Sequence, residues 1–155
     1  MAGKLQRELK QSKAIASVAE ESLLNIVRTA DVLLHSLTML MKPYQISPTQ
    51  YNVLRILRGA GEQGVSCKEI AARLVARDPD ITRLMDRLEQ RELIVRDRAK
   101  EDRRIVTHRL TQAGLDLLSD LHRPLEAANR QFTKDLEAAD LRKLVDVLEQ
   151  IRTNL

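Results

Sequence analysis

From Ser12 to Met41 the chain contains neither glycine nor proline, and Ile26, Ala30, Leu33, Leu37 and Leu40 recur at spacings of 4, 3, 4 and 3. That is the period of a helix seam, so the stretch reads as one long helix ending before Pro43. A second start lies at Ser47-Pro48-Thr49-Gln50. Serine can accept from the orphan amides of a first turn, proline presets φ, and glutamine can bond back to the cap. This helix is expected to reach about Arg58. Three of the five glycines then fall between Gly59 and Gly64, and Ser66-Cys67-Lys68-Glu69 has the pattern of a capping box that opens a third helix with Ile70, Ala71 and Leu74 inward. Asp78-Pro79 predicts the next start, followed by a stripe of Ile81, Leu84, Met85 and Leu88 that ends near Arg91. The pattern then changes to two short β-type stretches, Leu93–Arg96 and Ile105–Leu110, around a charged loop, which predicts a hairpin with a long tip. Thr111 caps a further helix with Leu115, Leu118 and Leu125 on its apolar side, where Pro124 should kink or break the helix. A last helix places Leu141, Leu144, Leu148, Ile151 and Leu155 at spacings of 3, 4, 3 and 4.

The order predicts a mainly α protein with a small β-hairpin wing: a winged helix-turn-helix over residues 47–111, flanked by long N- and C-terminal helices over 1–46 and 112–155. In such a motif the second helix enters the major groove of duplex DNA. Both end seams are longer than a single winged-helix core needs, so they are expected to pair across a two-fold axis in a homodimer.

Composition narrows the reading. A chain of 155 residues buries roughly 70% of its unfolded surface, enough for one core. The single cysteine, Cys67, excludes an internal disulfide or a cysteine cluster around a metal. A net charge of +4 weakly favours an anionic partner. Tyr44, Tyr51 and Phe132 are the only aromatics, too few for the stacking platforms that grip single strands, so a nucleic-acid partner would be duplex. Unbroken apolar runs stay short and the N-terminal residues lack a leader pattern, so a cytoplasmic protein without a membrane span is expected.

At 100° per residue, the face opposite Ile81, Leu84, Met85 and Leu88 holds Pro79, Arg83, Asp86 and Gln90, with Thr82 and Arg87 at its edges. Arg83 is at the centre. Its fork can donate two bonds to guanine, which makes it the first candidate for base readout; the plainer alternative is a solvated pair with Asp86. Ser66 and Lys68 join the candidate DNA-contacting set at the start of the preceding helix. The hairpin contributes Arg96, Arg98, Lys100, Arg103 and Arg104 against Asp97, Glu101 and Asp102. A basic tip beside a recognition helix can enter a minor groove, whose negative potential attracts guanidinium.

Arg83-Leu84-Met85-Asp86-Arg87-Leu88-Glu89, Leu93-Ile94-Val95-Arg96, Asp102-Arg103-Arg104 and Leu110-Thr111-Gln112-Ala113-Gly114 together resemble the MarR family of bacterial winged-helix transcriptional regulators. The similarity spans about Ser47 to Gly114. It implies a homodimer on a pseudo-palindromic operator, usually a repressor relieved by a small ligand or an oxidant. It also implies that Arg104 enters the minor groove and that Asp102 orients it. Two positions depart from the family pattern. Glu92 stands where a glycine usually ends the recognition helix, which predicts either a strain of roughly 1 kcal/mol or another cap geometry. The preceding turn, Ala76-Arg77-Asp78-Pro79-Asp80, lacks glycine; Asp80 could accept from cytosine, or simply complement the helix N-terminus.

The resemblance also places a small apolar or aromatic ligand where the first long helix meets the DNA-binding lobe, near His35 and Met39. Cys67 reads as a packed thiol, because the family's oxidant-sensing cysteine lies near the N-terminal helix, where this chain has none. His122 and Glu126 are the only pair at metal-ligand spacing, and no metal or other cofactor is expected. An enzyme is not expected either: no P-loop, GxSxG, HExxH or glycine-rich dinucleotide turn is present. The remaining alternative is a winged-helix protein-interaction module that binds no DNA.

Overall fold

The computed structural model describes residues 3–76, 80–98 and 106–154. The elements run α1 (Lys4–Glu8), α2 (Val18–Met41), α3 (Pro48–Ala60), α4 (Cys67–Arg73), α5 (Ile81–Gln90), β1 (Ile94–Arg98), β2 (Val106–Leu110), α6 (Gln112–Phe132) and α7 (Ala138–Thr153). The fold is thus mainly helical with one two-stranded hairpin. It divides into two compact units, residues 1–118 and 119–155.

Most boundaries follow the sequence signals. Ser47 Oγ accepts from the Gln50 amide at 3.1 Å, and Gln50 Oε1 accepts from the Ser47 amide at 2.9 Å, completing the box that starts α3. At α4 only half of the expected box forms. Ser66 Oγ accepts from the Glu69 amide at 3.3 Å, but the Glu69 carboxylate turns to Arg73 one helical turn on. The long first helix starts later than its glycine-free stretch: Ser17 is its cap, and Glu20 bonds back to the Ala16 amide at 3.0 Å. The short α1 lies before it, with Leu5 buried.

For α5 the cap is Asp80, which accepts from the Arg83 amide at 3.3 Å. The expected start at Asp78-Pro79 falls outside the described residues. α6 runs unbroken through Pro124, correcting the expected break. Proline removes one amide donor, and the carbonyl it strands, four residues back on Asp120, belongs to an exposed residue that water can satisfy.

In residues 1–118 the core gathers Met41, Ile46, Val53, Leu54, Leu57, Ile70, Leu84, Met85 and Leu88 with Leu93 and Ile94. The hairpin pairs Ile94 with Leu110 and Arg96 with His108 in antiparallel register. A single bridge from Val65 to His108 joins the α3–α4 connection to its edge. Gly114, at the start of α6, is buried so closely that a Cβ there would lie 2.4 Å from the Leu93 carbonyl oxygen.

α2 buries only Met41 within this chain, leaving Leu23, Val27, Val32 and Leu34 about half exposed or more. By length and composition the stretch Val18–Tyr44 could cross a bilayer, which a search for unbroken apolar runs overlooks. It nevertheless carries Arg28 and Asp31 at mid-length, 3.6 Å apart. In residues 119–155, Leu121 and Leu125 are buried while α7 buries nothing and exposes Leu144, Val145 and Val147.

Candidate nucleic-acid interface

The recognition-helix candidate, α5, is strongly amphipathic. Leu84, Met85 and Leu88 are at most 9% exposed, whereas Thr82, Arg83, Arg87 and Gln90 face outward. Arg83 sits at the centre of the outward face, 72% exposed, with its Nη1 only 3.9 Å from Asp80 Oδ2. At that distance and exposure the pair is weak, and the guanidinium can turn to another acceptor. Arg83 and Arg87 flank a polar hollow of about 280 Å³ whose other wall is Ser47 and Gln50 at the start of α3. Two cations therefore face the amino end of a second helix, whose dipole favours anions although Pro48 has no N–H and the Gln50 amide is taken by Ser47 Oγ. Ser47 and Gln50 were not among the sequence candidates because their capping bonds already account for them.

Asp80 does what its plainer reading expects: it caps α5. Asp86 does not join the outward set. It is half-buried and accepts from Arg96 Nη2 of β1 at 2.8 Å. The expected alternative pair Arg83–Asp86 is thus replaced by Arg83–Asp80 and Arg96–Asp86. Ser66 is half-buried and spends its hydroxyl on the α4 cap, while Lys68 is exposed. Pro79, Lys100, Asp102, Arg103, Arg104 and the Arg98 side chain lie outside the described residues.

Two further contacts fix α5 in place. At its C-terminus Glu92 takes φ +56°, the Glu92 amide donates to Glu89 O at 2.8 Å, and the Leu93 amide donates to Leu88 O at 3.1 Å. This is a complete Schellman cap built on a glutamate. Arg91 then donates to the backbone carbonyls of Gln45 and Tyr44, tying the helix end to the segment between α2 and α3. Across the hairpin, Arg109 donates to Asp97, and this bond holds the Asp97 carboxyl below its usual range.

Beneath the hairpin, His108 is 1% exposed and its Nδ1 lies 3.9 Å from Cys67 Sγ. Burial pushes the Cys67 thiol up, opposed by Arg96. A thiol held protonated is a poor nucleophile, in keeping with a packed rather than a sensing cysteine. His35 and Met39 are exposed on α2. The apolar hollow beside them, about 210 Å³, is instead lined by the adjacent helix face of Leu34, Leu37 and Met41, with Pro48, Tyr51 and Val75 opposite. Glu126 pairs with Arg130 at 3.0 Å rather than standing free for His122. Among the described residues no group of three metal-ligating side chains forms.

Comparison with known proteins gives this geometry a context. The MarR family model matches residues 46–106, the span from the cap of α3 into the hairpin. A MarR transcription factor from Planctomyces limnophilus is 38% identical, covering 88% of this chain and 98% of its own, with a TM-score of 0.69. CouR from Rhodococcus jostii RHA1, solved with p-coumaroyl-CoA, is 25% identical with a TM-score of 0.73, covering 88% of this chain and 95% of its own. The HTH-type transcriptional repressor MdtR of Bacillus subtilis is 38% identical over 74 residues, which is 48% of this chain and 46% of that protein.

Proposed function

The chain belongs to the MarR family, and from that premise we propose that it is a transcriptional repressor that binds a pseudo-palindromic duplex operator as a homodimer and is released by a small ligand. The observation that carries the reading is the outward face of α5. Thr82, Arg83, Arg87 and Gln90 form a donor-rich surface on a helix whose other side is locked into the core. The hairpin lies immediately after it in the chain. Arginine on such a face reads guanine edges, while phosphate contacts set the register. Ser47 and Gln50 belong to the phosphate-facing rim, because they open α3 beside the same two arginines.

Dimerisation is supported by what α2 and α7 leave uncovered. Leu23, Val27 and Val32 on α2, and Leu144, Val145 and Val147 on α7, are 45–67% exposed in the single chain. Apolar faces of that extent are usually closed by a partner. Repression is supported by MdtR, which is named as a repressor.

Ligand control is supported by the apolar hollow on α2. Asn52 Oδ1 on its lining accepts from the Val75 amide at 2.8 Å, and Val75 and Ala76 lead in the chain toward the cap of α5. A single-ring aromatic of modest size fits about 210 Å³. Its occupancy would shift DNA affinity only by the difference in its affinity for the two conformations.

The test is to incubate the purified protein with sheared genomic DNA, sequence the retained fragments and titrate the recovered site. An inverted repeat with half-sites about 10 base pairs, or a multiple, apart and a steep fall of affinity with salt is expected. Retention of no duplex sequence would leave the protein-interaction module as the reading. For the ligand, aromatic acids are screened by thermal shift with and without operator. A compound that stabilises the protein but leaves DNA affinity unchanged is no inducer.

A further inference from the structure

Four elements converge beneath the outward face: α4 through Cys67, α5 through Asp86 and Glu89, β1 through Arg96 and β2 through His108. Arg96 is the hub. Its Nη2 donates to Asp86 Oδ1 at 2.8 Å, and its Nε lies 3.5 Å from Glu89 Oε2. Its side chain is 31% exposed, less than that of any other arginine in the described ion pairs. On the inner side it faces His108, its cross-strand partner. Both Arg96 Nε and His108 Nε2 are buried without a hydrogen-bond partner among the described residues.

A guanidinium in that position cannot also serve a phosphate. It stands between two carboxylates of α5, and leaving them would strand them beside an incoming polyanion. Conversely, Asp86 unpaired would repel the duplex from the middle of the recognition helix. Paired, its charge is offset and it becomes a strut. The pair spans two elements whose relative setting decides whether a helix in the major groove and a hairpin beside it can engage one duplex together. Among the described residues the ion pairs between them are those of Arg96, and the Asp97–Arg109 pair stays within the hairpin.

We propose that Asp86 and Arg96, with Glu89 in support, are positioning residues that hold the hairpin at a fixed setting against the recognition helix, and that neither contacts DNA. The inference rests on the DNA-binding reading above and deepens it. It reverses the expectation from the helical wheel, which counts Asp86 among the residues presented to DNA.

The experiment is a cycle of Asp86→Asn, Arg96→Gln and the double variant, titrated against the recovered operator at several salt concentrations. Dimer mass and thermal midpoint are recorded for each protein. Variants with single-base changes in the half-site and in the flanks give two separate readouts. A strut predicts that each single change lowers affinity roughly ten-fold and that the double change costs little more than either, since one interaction is lost in all three. The loss should fall on flank preference and on the salt slope, which report hairpin engagement, with half-site discrimination retained. A general loss of folding would lower every sequence alike and would not change the slope. Multiplicative losses in the double variant, or flattened discrimination at one half-site position with flank preference intact, would overturn the proposal and return Asp86 to base reading.

A second measurement needs no DNA. Amide hydrogen exchange across β1 and β2 should quicken in Asp86→Asn and Arg96→Gln relative to the wild type, whereas Thr82→Ala, on the same helix, should leave it unchanged. Unchanged exchange in the pair variants refutes the strut even if the wild type binds duplex. Quickened exchange in a wild-type background that retains no duplex refutes the DNA-binding reading while leaving the strut in place.

Discussion

Glu92 offers a quantitative check on the backbone strain at the C-terminus of α5. It sits at φ +56°, the left-handed residue of the Schellman cap that ends α5. An L-residue with a Cβ costs about 1–2 kcal/mol there, whereas glycine adopts the conformation freely. Introducing glycine also loosens the unfolded chain, which takes back about 0.5–1 kcal/mol. Glu92 is exposed and bonds through its backbone, its amide donating to Glu89 O and its carbonyl accepting from Thr111 Oγ1, so its side chain has little to lose. Glu92→Gly should therefore stabilise the protein by about 0.5–1 kcal/mol, a rise in melting temperature of roughly 1–4 °C for a chain of this length. Glu92→Ala keeps the strain and should fall at or below the wild type. The assay is thermal and urea unfolding of all three at one protomer concentration, because oligomerisation makes melting temperature concentration-dependent. Destabilisation by glycine, or glycine and alanine giving the same value, would refute the strained-cap explanation.

Other positions yield sharper losses. Gly114→Ala would put a Cβ 2.4 Å from Leu93 O and 2.7 Å from Leu110 Cδ1; it should cost about 1–3 kcal/mol in urea unfolding despite alanine's better helix propensity. His108 is pushed below the ordinary imidazole value of 6.5 by burial first and then by Arg96, against weaker opposing effects from the Val65 backbone, Glu89 and Asp86. The unfolded chain then binds the proton more readily, so the stabilisation is complete above pH 6.5 and is lost as pH falls toward the depressed value; a pH series of melting curves should show this slope, and His108→Gln should remove it. Sedimentation at micromolar concentration should give a dimer, and replacing Leu144 and Val147 together with Ser should give monomers.

Local rules exposed much of this architecture. The capping box at Ser47 and Gln50, the buried stripe of α5 and the hairpin all follow from patterns within a few residues. The later start of α2 was also written in the chain, as Ser17-Val18-Ala19-Glu20, a capping pattern inside a longer glycine-free stretch. α1 escaped because five residues cannot display a helical period. What stayed hidden is non-local. A helical wheel turns every polar residue outward, so it cannot see Arg96 arriving at Asp86 from the next strand. Nor can it see Arg91 bonding to carbonyls 46 and 47 positions away. A backbone acceptor leaves no mark on residue identity. His35 and Met39, the residues expected near a ligand, do not line the apolar hollow on α2, whose walls include Leu34, Leu37 and Met41, since one residue along a helix is a turn of about 100°.

The measurement that bears most directly on the central claim is titration of the recovered operator with the wild type, Arg83→Ala and Arg104→Ala, using single-base variants of half-site and flank. Base reading by Arg83 predicts a loss of about 1–3 kcal/mol, roughly 5- to 150-fold, with discrimination flattened at one position of each half-site. Minor-groove sensing by Arg104, the role the family resemblance implies, predicts weaker binding to most sequences, a shallower salt slope and the greatest loss on A·T-rich flanks. Identical losses on every sequence would contradict the assignment of base reading to Arg83. No loss in either variant would contradict DNA binding through this winged helix.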